Sequence, residues 1–343
     1  MQDRFRTTRW SVVSAAGRWR PGQAHECLQR LRADVAGTGI ETADLVIEAI
    51  HEDADAKREL YARIEPRLPA DALLATNTSS IMLEDLARDL VDPGRLVGLH
   101  FFNPVARMML VEIVKGPATR ESAVNDALAF ARQLDKLPLP CRSSPGFAVN
   151  RILMPYMTEA MFAAESGVPL EVIDRAAVDF GMPMGPVELA DTVGLDVALH
   201  VGRILAAAFG RAPPTALEGM VAAGLLGRKS GRGYYEWRDG KPARAAGGAT
   251  PPEDLQDRLV LQFVNEAVAC LREGVVEDAD LLDAGMIFGT GFAPFRGGPI
   301  QYARQRGVDA IVVRLRELEG RHGPRFRPDE GWQTLPVLRS ASL

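Results

Sequence analysis

The chain has 343 residues, of which 47% are hydrophobic and 25% are charged, which is enough for two domains with their own cores. Its net charge of −5 predicts no nucleic acid partner, and no run of about 18 uncharged apolar residues is present, so we expect no membrane insertion. The three cysteines, Cys27, Cys141 and Cys270, lie far apart without Cys-x-x-Cys spacing. This argues against a metal site or a disulfide framework and favours a reducing, cytoplasmic location.

The first 25 residues are unusual, because they contain five arginines and one acidic residue and show neither a helical nor a strand period. We interpret residues 1–40 as an atypical N-terminal segment that begins with a poorly ordered tail. An arginine-rich, acid-poor opening is also typical of mitochondrial transit peptides, and this stays the alternative.

From Ala43 onward, strands and helices alternate. Apolar runs predict strands at 44–50, 73–77, 95–102, 110–114 and 137–141, and apolar residues at helical spacing lie between them. Such alternation predicts a parallel sheet, whose ligands bind at the carboxyl ends of the strands. Glu52, Asn77, Ser79 and His100 all fall at such ends. We also expect Ser79 or Ser80 to cap the helix that follows.

His100 ends a buried strand, and Glu112 is the one charged residue within the next apolar run. An ionised carboxylate among apolar neighbours is costly unless it has a partner. A loop through Asn103 and Pro104 would let the two strands lie side by side and bring Glu112 to His100. The pair would form a general base with an orienting carboxylate. The competing interpretation is a structural core histidine and a glutamate that caps a loop.

Three motifs carry a family resemblance. They are His-Phe-Phe-Asn-Pro at 100–104 followed by Val-Glu at 111–112, Pro-Gly-Phe-Ala-Val-Asn-Arg at 145–151, and Pro-Met-Gly-Pro at 183–186. In order and spacing they resemble the L-3-hydroxyacyl-CoA dehydrogenases, specifically the dehydrogenase portion of multifunctional β-oxidation enzymes. The resemblance runs from about Ala43 to about Arg304. It implies an α/β Rossmann-like domain followed by an all-α domain, NAD as cofactor, an acyl-CoA thioester as substrate and β-oxidation complex partners.

The resemblance also implies roles on the substrate side. His100 and Glu112 match the catalytic pair, and Ser79 and Asn150 match residues that hold the substrate oxygen during catalysis. Asn103 is assigned to substrate binding on the same basis. Without the resemblance, Ser79 and Asn150 would each be interpreted as a helix cap.

On the cofactor side, Glu52 and Lys57 match a pair that lines the nicotinamide end of the cleft, and we assign Asn77 to the same group. Without the resemblance, Glu52 and Lys57 would be interpreted as part of a solvated helix face.

From Pro145 the sequence becomes helical, and it repeats. Residues 151–186 align with 258–294, first 107 positions apart and then 108, as for Gly181 with Gly289 and Pro186 with Pro294. A repeat of this length indicates a duplicated helical unit and not a solenoid. We therefore predict a first copy at 144–238, a linker at 239–253 and a second copy at 254–343. We expect the copies to pack as two subunits would across a two-fold axis.

One element of the family pattern is missing. A dinucleotide-binding domain opens with a strand, a Gly-x-Gly-x-x-Gly turn at a helix start and an acidic residue about 20 positions later. Ahead of the first strand this sequence has only Gly37-Thr-Gly39, followed by Thr42 at the third position. We therefore predict an N-terminally truncated or altered member with an incomplete NAD-binding domain at 41–143.

The expected function is NAD-dependent oxidation of 3-hydroxyacyl-CoA to 3-oxoacyl-CoA. The alternative is a cofactor-deficient module that binds acyl-CoA or serves in assembly, without dehydrogenase activity. The rival oxidoreductase class, the 3-hydroxyacid dehydrogenases, uses a helix-borne lysine as its acid-base group, and the histidine and glutamate on strands argue against it.

Overall fold

The chain folds into an α/β part followed by an α-helical part, as predicted. The structure is a computed structural model, and it describes residues 23–210, 214–244 and 249–335. The strands of the first part are β1 (Leu45–Glu48), β2 (Leu73–Thr76), β3 (Leu96–Phe101), β4 (Leu110–Lys115) and β5 (Leu137–Arg142). Its helices are α1 (Gln23–Arg30), α2 (Ala54–Ile64), α3 (Leu83–Ala87) and α4 (Glu121–Gln133).

The five strands form one sheet in the order β1-β2-β3-β4-β5. All neighbouring strands are parallel except β3 and β4, which are antiparallel, so the prediction of a parallel sheet is wrong at this one pair. The reason is the short connection at 102–109, since a parallel pair needs a crossover of a dozen or more residues. The resulting hairpin places His100 directly opposite Glu112.

Helices cover both faces of the sheet. On one face, Tyr61 of α2 and Leu86 pack against Leu74. On the other face, Ala127 of α4 packs against Val97. Among the described residues, β1 pairs only with β2.

Only the second half of the predicted N-terminal segment, 1–40, belongs to the described residues. Residues 1–22, which carry the arginine-rich stretch, lie outside the described residues. The described chain begins with the short helix α1, and a 3-10 helix at Thr38–Thr42 precedes β1. The predicted segment 1–40 therefore contains regular structure that its sequence period did not indicate.

The helical part consists of two sets of four main helices. The first set is α5 (Val149–Glu165), α6 (Leu170–Phe180), α7 (Pro186–Val193) and α8 (Leu195–Phe209), followed by α9 (Thr215–Ala222). The second set is α10 (Leu255–Arg272), α11 (Ala279–Thr290), α12 (Pro299–Arg306) and α13 (Val308–His322). Between the sets, β6 (Glu236–Arg238) and β7 (Lys241–Ala243) form a hairpin.

That hairpin corrects the prediction of a linker from residue 239. Its anchor is Asp191, a fully buried carboxylate at the end of α7. Asp191 accepts hydrogen bonds from the amides of Tyr234 and Tyr235 and from Nε1 of Trp237. A side chain at Gly233 would meet Asp191 Oδ1 at 2.1 Å, so only glycine lets the segment approach this closely.

The two sets of helices share the order of their helices, but the structural alignment of the sets differs from the predicted one. Glu159 and Glu266 occupy equivalent places in α5 and α10, as predicted. Helix α7 begins at Pro186 and α12 at Pro299, so Pro294 is not the equivalent proline. The offset between the copies grows from 107 positions at Glu159 and Glu266 to 109 at Asp174 and Asp283 and to 113 at Pro186 and Pro299, so several inserted residues, and not one, lie before and after α11. The glycines that end the second helix of each copy shift likewise: Gly181 corresponds to Gly291 and not to Gly289.

In both copies, a buried aspartate of the second helix caps the N-terminus of the third helix. Asp174 in α6 accepts the first backbone amides of α7 at 2.8 and 3.2 Å, and Asp283 in α11 accepts those of α12 at 2.7 and 2.9 Å. Gly185 and Gly298 precede these helices, and a Cβ at either would lie within 2.5 Å of the aspartate. Burial raises the pKa of Asp174 to about 6 and that of Asp283 to about 7.

Reciprocal ion pairs join the copies. Arg151 of α5 binds Glu266 of α10 at 2.8 Å, and Arg258 of α10 binds Glu159 of α5 at 2.8 Å between the same atom types. All four side chains are buried. Exchange of partners of this kind is how two subunits meet across a two-fold axis, so the copies pack as expected.

No single helix of the described chain is long and apolar enough to cross a membrane. Helices α7 and α8 pass that test only as a pair, which is bent by 102°. The cysteines carry free thiols, and burial raises the pKa of Cys141 and Cys270 above its ordinary value.

Candidate active site

The site centres on His100 at the end of β3. Its Nδ1 lies 2.6 Å from Oε2 of Glu112, and both residues are buried, Glu112 completely. The prediction that the hairpin brings Glu112 to His100 is confirmed. Among the described residues, Nε2 of His100 has no hydrogen-bond partner, so this nitrogen is available to another molecule.

Glu112 also caps a helix. Its second oxygen, Oε1, accepts the backbone amides of Ala148 at 3.0 Å and Val149 at 2.9 Å, at the start of α5. A carboxylate is favoured at a helix N-terminus, where amide donors lack partners. Three donors therefore surround one ionised group, and a carboxylate that only accepts requires the proton of His100 to sit on Nδ1. Glu112 thus binds His100 and caps a helix at the same time, and the general-base role of His100 stays a prediction.

Aromatic rings fix the imidazole from two sides. The ring of Phe102 lies 4.5 Å from that of His100 between centroids, and Phe147 lies at 5.7 Å in an edge contact. Phe147 holds a positive φ of 51°, which is uncommon for a residue with a Cβ. This backbone conformation forms the turn that leads into α5 below Glu112.

Asn150 follows in the first turn of α5. Its Nδ2 donates to the carbonyl oxygen of Ser79 at 3.3 Å, so it does not cap its own helix. Ser79 in turn donates its amide to Oε1 of Glu52 at 2.8 Å, and its hydroxyl reaches the same oxygen at 3.3 Å. A continuous set of hydrogen bonds thus runs from His100 through Glu112 and the start of α5 to Ser79 and Glu52.

The predicted cap at Ser79 or Ser80 is therefore wrong. Both serines turn toward Glu52 instead. The amide of Leu83 at the start of α3 donates to Oγ of Ser143, which comes from beyond β5. A cap contributed from so far along the chain leaves no local sequence signal.

A buried cluster of charges lies beside Glu52. The ammonium group of Lys57, 1% exposed, binds Glu48 at 2.7 Å and Glu52 at 3.4 Å. The interpretation of Lys57 as part of a solvated helix face is wrong. Burial favours the protonated form of Glu52, but hydrogen bonds from Thr78 and Ser79 and the charge of Lys57 lower its pKa below the ordinary value.

Glu48 was missed by the sequence reasoning. Its carboxylate accepts hydrogen bonds from Lys57, from the Tyr61 hydroxyl at 2.9 Å and from Oγ1 of Thr76 at 2.9 Å. The usable signal was the one that singled out Glu112, a lone carboxylate inside an apolar strand. Through Lys57, Glu48 holds Glu52 beside Ser79.

The remaining predicted residues differ in placement. Asn77 accepts the amide of Phe101 at 2.9 Å and ties the end of β2 to the residue after His100. Asn103 lies in the exposed loop between β3 and β4, and its side chain makes no hydrogen bond to the described residues. The roles of both residues toward ligands stay predictions.

The described residues fit one end of NAD. Carboxylate, ammonium and hydroxyl groups gather at the carboxyl ends of β1 and β2, where ligands of open α/β sheets bind, next to His100. The pyrophosphate end is different, since residues 23–210, 214–244 and 249–335, which the structure describes, contain no Gly-x-Gly-x-x-Gly turn at a helix start. The assignment of Glu52 and Lys57 to the nicotinamide end stays a prediction.

Two relatives named fatty acid oxidation complex subunit alpha resemble the chain in sequence. The one from Vibrio parahaemolyticus is 36% identical over 318 residues, which are 89% of this chain and 45% of the relative. The one from Vibrio vulnificus is 37% identical over 310 residues, 87% and 44% of the two chains. The chain thus spans slightly less than half the length of these relatives.

Solved structures resemble it across both parts. The 3-hydroxybutyryl-CoA dehydrogenase from Escherichia coli superimposes with a TM-score of 0.84 at 29% identity and covers 97% of this chain and 89% of its own. The dehydrogenase part of multifunctional enzyme 1 from C. elegans superimposes with a TM-score of 0.64 at 26% identity over 95% and 79%.

Family models match most of the chain. Residues 3–144 match the model described as 3-hydroxyacyl-CoA dehydrogenase, NAD binding domain, and residues 146–237 match the C-terminal domain of the same family. The first match includes the region where the glycine turn is missing. The predicted resemblance is confirmed, and the chain belongs to the 3-hydroxyacyl-CoA dehydrogenase family.

Proposed function

We propose that the chain catalyses the reversible, NAD-dependent oxidation of 3-hydroxyacyl-CoA to 3-oxoacyl-CoA in fatty-acid β-oxidation. The observation that carries the proposal is the bond of 2.6 Å between His100 Nδ1 and buried Glu112, which leaves Nε2 without a partner among the described residues. An imidazole fixed in this tautomer is suited to accept a proton.

In the oxidation, Nε2 of His100 takes the proton of the 3-hydroxyl group while its oxygen becomes a carbonyl. NAD, when bound, accepts the hydride that leaves C3. The imidazolium that forms is stabilised by Glu112, whose negative charge is buried and directed at Nδ1. In the reverse direction, Nε2 returns the proton to the oxygen.

Ser79 and Asn150 are proposed to hold that oxygen. They belong to different parts of the fold and are joined by a bond of 3.3 Å between Asn150 Nδ2 and the Ser79 carbonyl. Glu52 orients the Ser79 hydroxyl, and Lys57 with Glu48 holds Glu52. We assign Ser79 and Asn150 to the substrate and the Glu52 cluster to the nicotinamide side of the cleft.

We also propose a cytoplasmic location and assembly with β-oxidation partners. The free thiols fit a reducing compartment. Relatives that cover most of this chain are named as alpha subunits of a fatty acid oxidation complex, which supports assembly with other subunits of such a complex.

The test is the loss of NADH absorbance when acetoacetyl-CoA is added to the purified chain. His100→Gln is expected to lower the rate by about 10² to 10⁴, the usual contribution of acid-base catalysis. His200→Gln, on an exposed position of α8, is the matched control. Acyl-CoA binding without any NADH consumption would favour a cofactor-deficient acyl-CoA-binding module instead.

A further inference from the structure

The first helical copy contains a cavity of about 470 Å³ that the proposed reaction does not use. It lies between α5, α8, α9 and α10, and most of its lining is apolar. The apolar side chains include Met154, Met161, Phe162, Leu205 and Leu217. A volume of this size and a lining of this kind are typical of sites for small ligands.

The cavity is separate from the candidate active site. Asn150 points to Ser79, whereas its neighbour Arg151 points to Glu266 and lines the cavity. Neither His100 nor any other residue assigned to the reaction lines it. The two sites therefore lie on different faces of α5.

Comparison of the two copies shows why the cavity exists. Helices α8 and α13 both start after a glycine with positive φ, Gly194 and Gly307, which aligns Leu195 with Val308. In that alignment, Ala198 and Gly202 of the cavity wall correspond to Ile311 and Leu315. The latter two are fully buried in the second core. The first copy therefore has alanine and glycine at positions where the second copy has large aliphatic residues that fill its core.

The second copy is also covered on the corresponding face of its first helix. Gln262 and Asn265 of α10 donate their amide groups to the carbonyl oxygens of Arg325 and Arg327 at 3.0 Å. Trp332 adds a bond to Asn265 at 2.7 Å. The equivalent α5 positions, 107 residues earlier, are Pro155 and Thr158, and both line the cavity. The chain fills this place in one copy and leaves it open in the other.

The charged residues of the lining are already paired. Arg151 binds Glu266 at 2.8 Å, and Arg325 binds Glu159 at 2.6 Å. These pairs offer no uncompensated charge to a ligand. Apart from Thr158 and Gln262, the remaining lining is aliphatic, thioether and aromatic, as for a ligand that replaces the missing Ile and Leu side chains. Gly210 at the cavity wall is exposed, so solvent reaches this end.

We propose that this cavity binds a linear acyl chain, at a site distinct from the catalytic one. Part of the cavity lies where the branched side chains of Ile311 and Leu315 stand in the second copy. An unbranched chain adapts to a cavity that is lined by methionine. The choice of an acyl chain over other apolar ligands rests on the proposed function, which brings acyl groups to this protein.

The test uses cis-parinaric acid, a fluorescent fatty acid, titrated into the full chain without NADH or thioester. Saturable fluorescence enhancement is expected in the wild type. The double variant Ala198→Ile/Gly202→Leu, which copies the second repeat, is expected to weaken binding at least tenfold and to raise the melting temperature. Ala207→Leu, on an exposed position of the same helix, is the matched control and should bind as the wild type does.

Ala206→Glu, which copies Glu319 of the second repeat, places a carboxylate on the same cavity wall and should also weaken binding. This variant serves as the test if the double variant fails to fold. Competition with decanoate and with decanoyl-CoA identifies the source of the chain, free acid or thioester. Absence of saturable binding, or equal binding by wild type and both cavity variants, would overturn the proposal. Acetoacetyl-CoA reduction is measured in parallel, so its loss or absence reports on the catalytic site and not on this one.

Discussion

Glu112→Gln is the most informative change, because the two carboxylate oxygens of Glu112 have different hydrogen-bond partners. Oε1 accepts the amides of Ala148 and Val149, and Oε2 accepts Nδ1 of His100. A glutamine can keep its oxygen at the helix start and present its amino group to the imidazole. The helix cap is then retained, and the bond to His100 is reversed.

A glutamine amino group donates, so Nδ1 must become the acceptor and the proton must move to Nε2. Nε2 is then blocked as a base in the oxidation. In the reduction, the imidazolium that donates its proton from Nε2 loses the negative charge that stabilises it. We expect a loss of about 10² to 10⁴ in kcat for acetoacetyl-CoA reduction. Stability should fall by only about 1 to 2 kcal/mol, since one hydrogen bond to a charged group is exchanged for a neutral one.

The matched control is Glu65→Gln, because Glu65 is also buried and accepts two backbone amides, those of Val91 and Asp92, but touches no histidine. Its activity should stay near that of the wild type. Nitrogen NMR of His100 reports the tautomer directly. An activity above about a tenth of the wild type in Glu112→Gln, or an unchanged tautomer, would refute the orienting role of Glu112.

Three further predictions follow from other features. Burial raises the pKa of Asp283 to about 7, so the folded state keeps a proton that the unfolded chain releases near pH 4. Between these two pH values, this group lowers the free energy of unfolding by up to about 1.4 kcal/mol per pH unit. The stability difference between wild type and Asp283→Asn in urea should therefore shrink from about pH 5 to about pH 7.5; a constant difference would contradict this. Deletion of 254–343 should cause dimerisation or aggregation, since losing the partners of buried Arg151 and Glu159 costs about 3 to 5 kcal/mol per pair; a soluble monomer in gel filtration would argue against it. NADH affinity by calorimetry should be about 10² to 10⁶ below that of a member with the glycine turn, and a low-micromolar dissociation constant would disprove this.

Much of the sheet and its catalytic pair could be predicted, for a local reason. Each strand is a short apolar run, and a carboxylate inside such a run needs a partner, which points from Glu112 to His100. The same logic applied to Glu48 would have found the Lys57 cluster. It was missed because the strand predicted at 44–50 also contains Asp44, so Glu48 was not the single charge within its apolar run.

Other features depend on residues distant in sequence. Ser143 caps a helix sixty residues earlier, and Asp191 fixes a hairpin more than forty residues later. The predicted alignment is wrong at Pro294 because proline is common at the first position of 3-10 helices as well as α-helices. Pro294 begins a 3-10 helix, whereas Pro299 begins α12. The capping aspartates, and not the prolines, mark the true register, and that is visible only when their contacts are known.

The crossed pairs, Arg151 with Glu266 and Arg258 with Glu159, limit which residues can change alone. Each copy supplies one partner of each pair, so a change of charge in one copy leaves a buried charge without its partner in the other. Among the described residues, no such pair joins α8 to α13. A change of side-chain size there breaks no crossed pair, and the corresponding wall is open in one copy and filled in the other.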